Sequence, residues 1–493
     1  MIESKRKYNM KLLFRVIKLI SSLIIFILTL VLSYEKEYAS ISILPLSYIL
    51  LDSIFSNKLK IKNWYSGGLI YNVALIGIFV RYVITPFVIS ITGDFYTSYG
   101  NYVNMVSVDS INLAVILMIL ELVCIYFVFF ISKIKYSKKY DFSIVSRIKS
   151  LDHKFIVVVF MLVVTPVLLL IEPRLIIPSN LFLVGENFQR AQIELENAGI
   201  FFILSRMVKP IYLIVFISFM AKKYQLTRKR KFIIFSFIGV IVYVGLQTGT
   251  TRWEIVFAGI IGLYLIKETF NRVPRSIILV LVFVISISFF SASMYKFSWA
   301  INNSETPIKD ISIEMMNMVQ NYFSGPALVA NSIEMKKSYS NVIDAETFFN
   351  DFAGSVPGVS KYIDQSNRIN AYYNRYTGRP EGHNTQIIPM IGIGYIYFPV
   401  FPPIFTMICY WFVFKFDYRL KTISRIEYKY LYLYSGLYLA MAIGFNTQII
   451  FTTFLQRFLP LFLLFKLNST ICLNKSNNEK SYYETRLDLT KPH

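Results

Sequence analysis

An all-α polytopic membrane protein of about twelve transmembrane helices is the fold this sequence predicts, on three observations. Apolar content is far above that of a water-soluble domain: 55% of the 493 residues are hydrophobic and 16% charged, with a mean hydropathy of +0.52. The apolar residues come in runs close to the ~20 that a helix needs to cross the hydrocarbon core. Lysines and arginines fall in alternate connections, as the positive-inside rule requires.

In chain order the apolar runs lie near 14–33, 39–55, 67–91, 110–132, 155–171, 199–220, 232–247, 252–266, 276–297, 386–414, 428–446 and 447–466. The second, seventh and eighth are short. "SYEKEY" follows the first run in place of a small-residue cleavage site, so that run reads as a retained helix. The predicted organisation is helices one to nine over 1–297 with an outer loop at 172–198, a large extracytoplasmic loop at 298–385, helices ten to twelve over 386–466, and a cytoplasmic tail at 467–493.

The formal charge of +22 is a matter of topology. "KRKYNMK", "NKLKIK" (57–62), "SKIKYSKKY" (132–140), "AKKYQLTRKRK" (221–231), "KETFNRVPR" (267–275) and "KFDYRLKTISRIEYK" (415–429) occupy every second connection, whereas "TGDFYTSYGNYVNMVSVDS" (92–110) has no Lys or Arg. Both termini are then cytoplasmic, and the basic loops face anionic inner-leaflet lipids. No nucleic-acid partner is expected. Three cysteines, Cys124, Cys409 and Cys472, have no paired spacing, and the three histidines, His153, His383 and His493, are scattered, so neither a disulfide nor a metal site is expected. P-loop and dinucleotide fingerprints are absent, and no cofactor is expected.

Two predicted outer connections are longer than a turn needs, and long ordered loops are commonly functional. They contain Arg174, Arg190, Arg368, Arg375 and Arg379, which run against the positive-inside rule; long loops translocate despite such charges. Arg252 has no such explanation, because "TGTTRWEIVF" (248–257) is a very short turn. The threonines there can cap a helix start, the free N–H groups favour an anion, and a guanidinium adds a planar donor fork suited to phosphate. Alternatively Arg252 pairs with Glu254 or snorkels to headgroups.

The Thr-Gly-x-x-Arg element at 248–252, the helix pair and long outer loop after it, "YFSGP" (322–326) and "GHNTQIIPMIGIGYIYFPVF" (382–401), in that order, resemble the bacterial O-antigen and capsule polymerase and ligase superfamily. The resemblance covers roughly 160–465. It implies a metal-independent, GT-C-like glycosyltransferase of the cytoplasmic membrane, acting at its outer face on undecaprenyl-pyrophosphate-linked oligosaccharides. The implied reaction is polymerisation of repeat units into capsule or O-antigen, with a chain-length regulator and a flippase as associated proteins. By position, Arg252 matches the family arginine of the small turn, and His383 the histidine of an "HN" element whose Asn384 would contact substrate. Arg174 and Gly185 resemble an Arg-to-Gly spacing of the polymerase branch, without a second copy in the large loop. Ligases share the "HN" pattern, so a ligase stays open.

Glycosyl transfer from a pyrophosphate needs charge stabilisation on the leaving group and an oriented hydroxyl. Arg252 and Arg190 are assigned to the pyrophosphate, with Arg174 and Arg379 as secondary candidates. Arg190 is preferred because "ENFQRAQIELENAG" reads as a short helix. His383 is a candidate base or hydrogen-bond donor, with Glu381 as a rival. Charges inside apolar runs are costly and should face protein or water. Arg81 and Glu121 read as a buried pair; Arg206 and Lys209, one helical turn apart, are candidates to hold a lipid phosphate; Arg457 has no assignment. Two other classes remain. A flippase would show two related helical halves, and no such repeat is visible; an ion-coupled transporter would carry mid-membrane acids, of which Glu121 is the one clear case.

Overall fold

The computed structural model describes residues 2–58, 68–95, 106–137, 151, 155–176, 199–247, 252–270, 309–378 and 387–470, with scattered positions between 273 and 287. Every regular element among them is a helix. Five spans are long and apolar enough to cross a membrane, Val16–Ser33, Leu69–Thr92, Val108–Lys135, Ile200–Thr227 and Thr447–Thr470, and Ala39–Phe55, Phe155–Ile171 and Lys231–Gly245 are shorter apolar helices. Outward-facing Val31 and Leu170 are 68% and 85% exposed, a surface suited to lipid and not to water. This is a multi-pass membrane protein. The chain divides into two compact units.

The first unit comprises Met1–Ile144, Phe297–Lys421 and Ser435–Thr453. Its membrane part holds α1 (Ile2–Ser33), α2 (Ile43–Lys58), α3 (Leu69–Phe79), α4 (Thr85–Thr92) and α5 (Val108–Ser137). A π turn, Val80–Ile84, joins α3 to α4 and carries Arg81. The expected pair forms there: an Arg81 Nη lies 3.1 Å from Glu121 Oε2, both side chains fully buried. Arg81 also donates to the Ile443 carbonyl at 3.0 Å, and Glu121 accepts from Tyr82 (3.1 Å) and Thr406 (2.7 Å). Partnered on all these sides, the charges tolerate a site without water.

The described part of the large loop, 309–378, folds as α10 (Lys309–Phe323), α11 (Pro326–Ser338), α12 (Ala345–Ala353) and α13 (Ile369–Tyr376). The "YFSGP" segment is the turn between α10 and α11: Ser324 takes a left-handed φ of 49°, and Gln320 Oε1 accepts the Ala327 N–H at 3.1 Å. Leu328, Met335, Ile369 and Tyr373 form a core with Ile388, Ile393 and Ile396, so the loop packs on the next helix. Arg368 and Arg375 are used inside the loop. Arg368 donates to Gln365 Oε1 at 2.8 Å, and Arg375 to the Ser366 carbonyl at 2.7 Å.

One expectation needs correction. The run 386–414 is not a single helix; α14 (Met390–Tyr397) and α15 (Ile404–Thr422) are separated by the turn "FPVFPP". Proline lacks the N–H that would continue the helical ladder, and Pro402 and Pro403 fall at the break.

The second unit comprises Val145–Lys296, Thr422–Tyr434 and Phe454–His493. It contains α6 (Phe155–Ile171), α7 (Ile200–Thr227), α8 (Lys231–Gly245), α9 (Arg252–Thr269), the first turns of α16 (Ile426–Ala440) and the later part of the span Thr447–Thr470, whose opening turns are α17 (Thr447–Thr453). Small residues let α7, α8 and α9 approach closely: a Cβ on Gly262 would come within 2.3 Å of Val240. Of the predicted ninth helix at 276–297 only scattered positions between 276 and 287 are described, each of them helical, and most of the predicted outer loop 172–198 lies outside the described residues.

Candidate anion-binding site

Within the second unit, four membrane helices and the start of α9 place a charged cluster in an apolar setting. Arg206 and Lys209 share a face of α7 one turn apart, and Pro210 follows them. Proline at 210 cannot bond back to the carbonyl of residue 206, so the helix is loosened at Arg206 itself. Gln247 lies two residues past the end of α8, Glu254 sits in the first turn of α9, and Tyr430 and Tyr434 come from α16. Arg457 belongs to a π turn, Phe454–Phe458, in the last described helix. Such turns recur at functional sites.

The geometry centres on Glu254. Its Oε1 accepts from an Arg457 Nη in a short ion pair and lies 3.8 Å from an Arg206 Nη. Arg206 is held over the Phe202 ring at 3.9 Å, and Arg457 over the Tyr434 ring at 5.3 Å. Lys209 is 3% exposed and lines the same cavity, with Tyr243, whose hydroxyl meets that of Tyr430 at 2.8 Å. Gln247 is fixed by a 2.9 Å bond to the Tyr243 carbonyl. Three basic side chains thus converge on one acidic side chain in low dielectric, an excess of positive charge that favours an anion. The enclosed free space is about 10 Å³, room for roughly one water, and the Glu254 carboxylate occupies the position between the two guanidinium groups.

The cluster lies at the end of the second unit away from its basic connection. Lys209 and Lys222 are separated by roughly 20 Å along α7 at 1.5 Å per residue. At the far end Lys429 is 1% exposed and pairs with Glu268 at 2.9 Å.

Of the residues assigned from sequence, Arg206 and Lys209 are brought together in this cavity. Arg252 opens α9, two residues before Glu254, and Arg174 lies in the turn Pro173–Leu175, but neither side chain belongs to the described part. Arg190, Arg379, Glu381, His383 and Asn384 lie outside the described residues. Sequence reasoning missed Arg457, Glu254 and the tyrosines as members of a site. The available signal for Arg457 was a lone cation in the apolar run "FTTFLQRFLPLF", which by membrane energetics calls for a functional explanation. Glu254 was weighed as a partner for Arg252; the structure gives it Arg457 and Arg206.

Compared with protein-family models, curated proteins and solved structures, the chain matches none.

Proposed function

We propose that this chain is a membrane glycosyltransferase that polymerises undecaprenyl-pyrophosphate-linked oligosaccharide repeat units at the outer face of the cytoplasmic membrane. The observation that carries the reading is the buried cluster of Arg206, Lys209 and Arg457 around Glu254, an intramembrane site whose positive excess suits a dianionic pyrophosphate diester. The positive-inside pattern assigns the basic turn 221–231 to the cytoplasm, which puts the cluster toward the outer leaflet, where the lipid-linked donor is presented.

In this reading the pyrophosphate enters between Arg206 and Arg457 as Glu254 gives up that position. An acceptor hydroxyl forms the new bond to the anomeric carbon while the bond from that carbon to the phosphate oxygen breaks. The electron pair leaves on the lipid pyrophosphate, where the arginines and Lys209 stabilise it. Arg252, at the start of α9, reinforces the same charge, with Arg190, Arg174 and Arg379 as further candidates from the outer loops. The hydroxyl proton passes to His383 or Glu381, and Asn384 orients the acceptor.

The test is the lipid-linked intermediate in cells lacking the protein. Single repeat units on lipid at the outer face, with long polymer abolished, are expected. Units stranded at the inner face would make the protein a flippase, and polymer accumulating untransferred on its lipid would make it a ligase.

A further inference from the structure

Helix α12 is built inside out. Past the exposed Glu346 of its first turn, its polar side chains face inward: Thr347 and Asp351 are 0% and 3% exposed. They are satisfied there, Thr347 donating to Asn367 Oδ1 at 2.8 Å, and Asp351 accepting from the Ile369 N–H at 3.1 Å and from Tyr397 Oη at 2.8 Å. Phe349 points the other way, between two half-buried phenylalanines. Phe349 is 65% exposed, and Phe348 and Phe352 flank it on the same arc of the helix.

The depth of that aromatic arc is fixed by membrane helices. Phe352 packs edge-on against Phe451 at 4.7 Å, in the first turns of the span Thr447–Thr470, and lies 6.2 Å from Phe405 at the start of α15. Phe348 packs on Phe398 at 6.0 Å. Beside them the turn before α15 carries Val400 and Phe401, 97% and 42% exposed. The apolar surface is therefore continuous with the ends of two helices of the bundle. A helix that buries Asp351 and exposes Phe349, while Glu346 of its first turn stays at the surface, suits a headgroup boundary, where aromatic residues concentrate and a charged side chain keeps access to water.

We propose that the face formed by Phe349 of α12 with Val400 and Phe401 of the 398–403 turn inserts into the headgroup–acyl boundary of the bilayer and anchors the large loop to the membrane surface. The partner is lipid. This proposal does not depend on the transferase reading.

Spin labels at Phe349→Cys and, separately, Glu346→Cys, in a Cys472→Ser background that retains the buried Cys124 and Cys409, test it in proteoliposomes of phosphatidylethanolamine and phosphatidylglycerol. Collision with oxygen, which partitions into lipid, is expected to exceed collision with a water-soluble nickel chelate several-fold at 349, and the order to reverse at 346. Equal chelate access at both positions would overturn the proposal. So would dipolar broadening between labels at 349, which would mean that a second copy covers the face. Should the labelled 349 protein fail to fold, Phe349→Trp reads the same face: an added emission component quenched by brominated acyl chains supports insertion, and an unquenched one refutes it.

Discussion

At the scale of single residues each member of the charged cluster, three cations around one carboxylate, has a distinct expected phenotype. Arg457→Lys keeps the charge but loses the planar fork, so polymer made in cells at wild-type protein level should fall by roughly a hundredfold or more. The same loss is expected for Arg252→Lys, whose alternative role as an interfacial anchor predicts normal polymer because lysine snorkels equally well. Lys361→Ala, an exposed loop residue, is the control. Glu254→Gln removes the counter-charge of two buried guanidinium groups and should destabilise the protein by about 3 kcal/mol. An unchanged thermal midpoint in detergent would remove Glu254 from that role. Asp351 offers a pH test. Burial pushes its carboxyl up from 3.8 to about 6, so the folded loop favours the protonated form. The stabilisation is complete below pH ~4 and is lost as pH rises through ~6. Protection of α12 and α13 from hydrogen exchange should therefore be greater at pH 4.5 than at pH 7.5 after correction for intrinsic exchange, and Asp351→Asn should abolish the difference.

At the scale of elements, the break between α14 and α15 is sustained by a close approach that only glycine permits. A Cβ on Gly394 would come within 1.8 Å of the Pro402 carbonyl oxygen, while the Phe398 N–H closes the end of α14 on the Gly394 carbonyl at 2.7 Å. Gly394→Ala must push backbone away from backbone, and a loss of about 1–3 kcal/mol or more is expected, read as lower yield of folded protein and a lower unfolding midpoint. Full stability in that variant would mean that the turn is not packed as described. Hydropathy could not reveal this break, since "IIPMIGIGYIYFPVFPPIF" is apolar from end to end and prolines are tolerated within membrane helices. The π turns were equally hidden. Each carries a buried arginine, Arg81 or Arg457, whose partners come from remote parts of the chain.

At the scale of the whole molecule, the topology can be read by labelling. Cysteines replacing Ser340 and Ser366 should react with an impermeant reagent in intact cells, and those replacing Ser137 and Thr227 should not; reaction at 227 from outside would reverse both faces. What the sequence determined alone is what repeats along it: the apolar runs, because spanning length is a local property, the alternation of basic connections, and the pairing of Arg206 with Lys209 on one helix face. Arg81 with Glu121 was legible for a related reason, since two isolated opposite charges in hydrocarbon leave each other as the economical partners. Tertiary structure decided which distant charges meet. Arg457 is far along the chain from Arg206 and Glu254, and no periodicity links them. Their convergence follows from the packing of α7, α9 and the helix that carries Arg457 against one another. It likewise decided that α12 turns Asp351 inward and Phe349 outward, because the composition of "AETFFNDFA" is amphipathic either way, and only its packing against membrane helix ends selects the face.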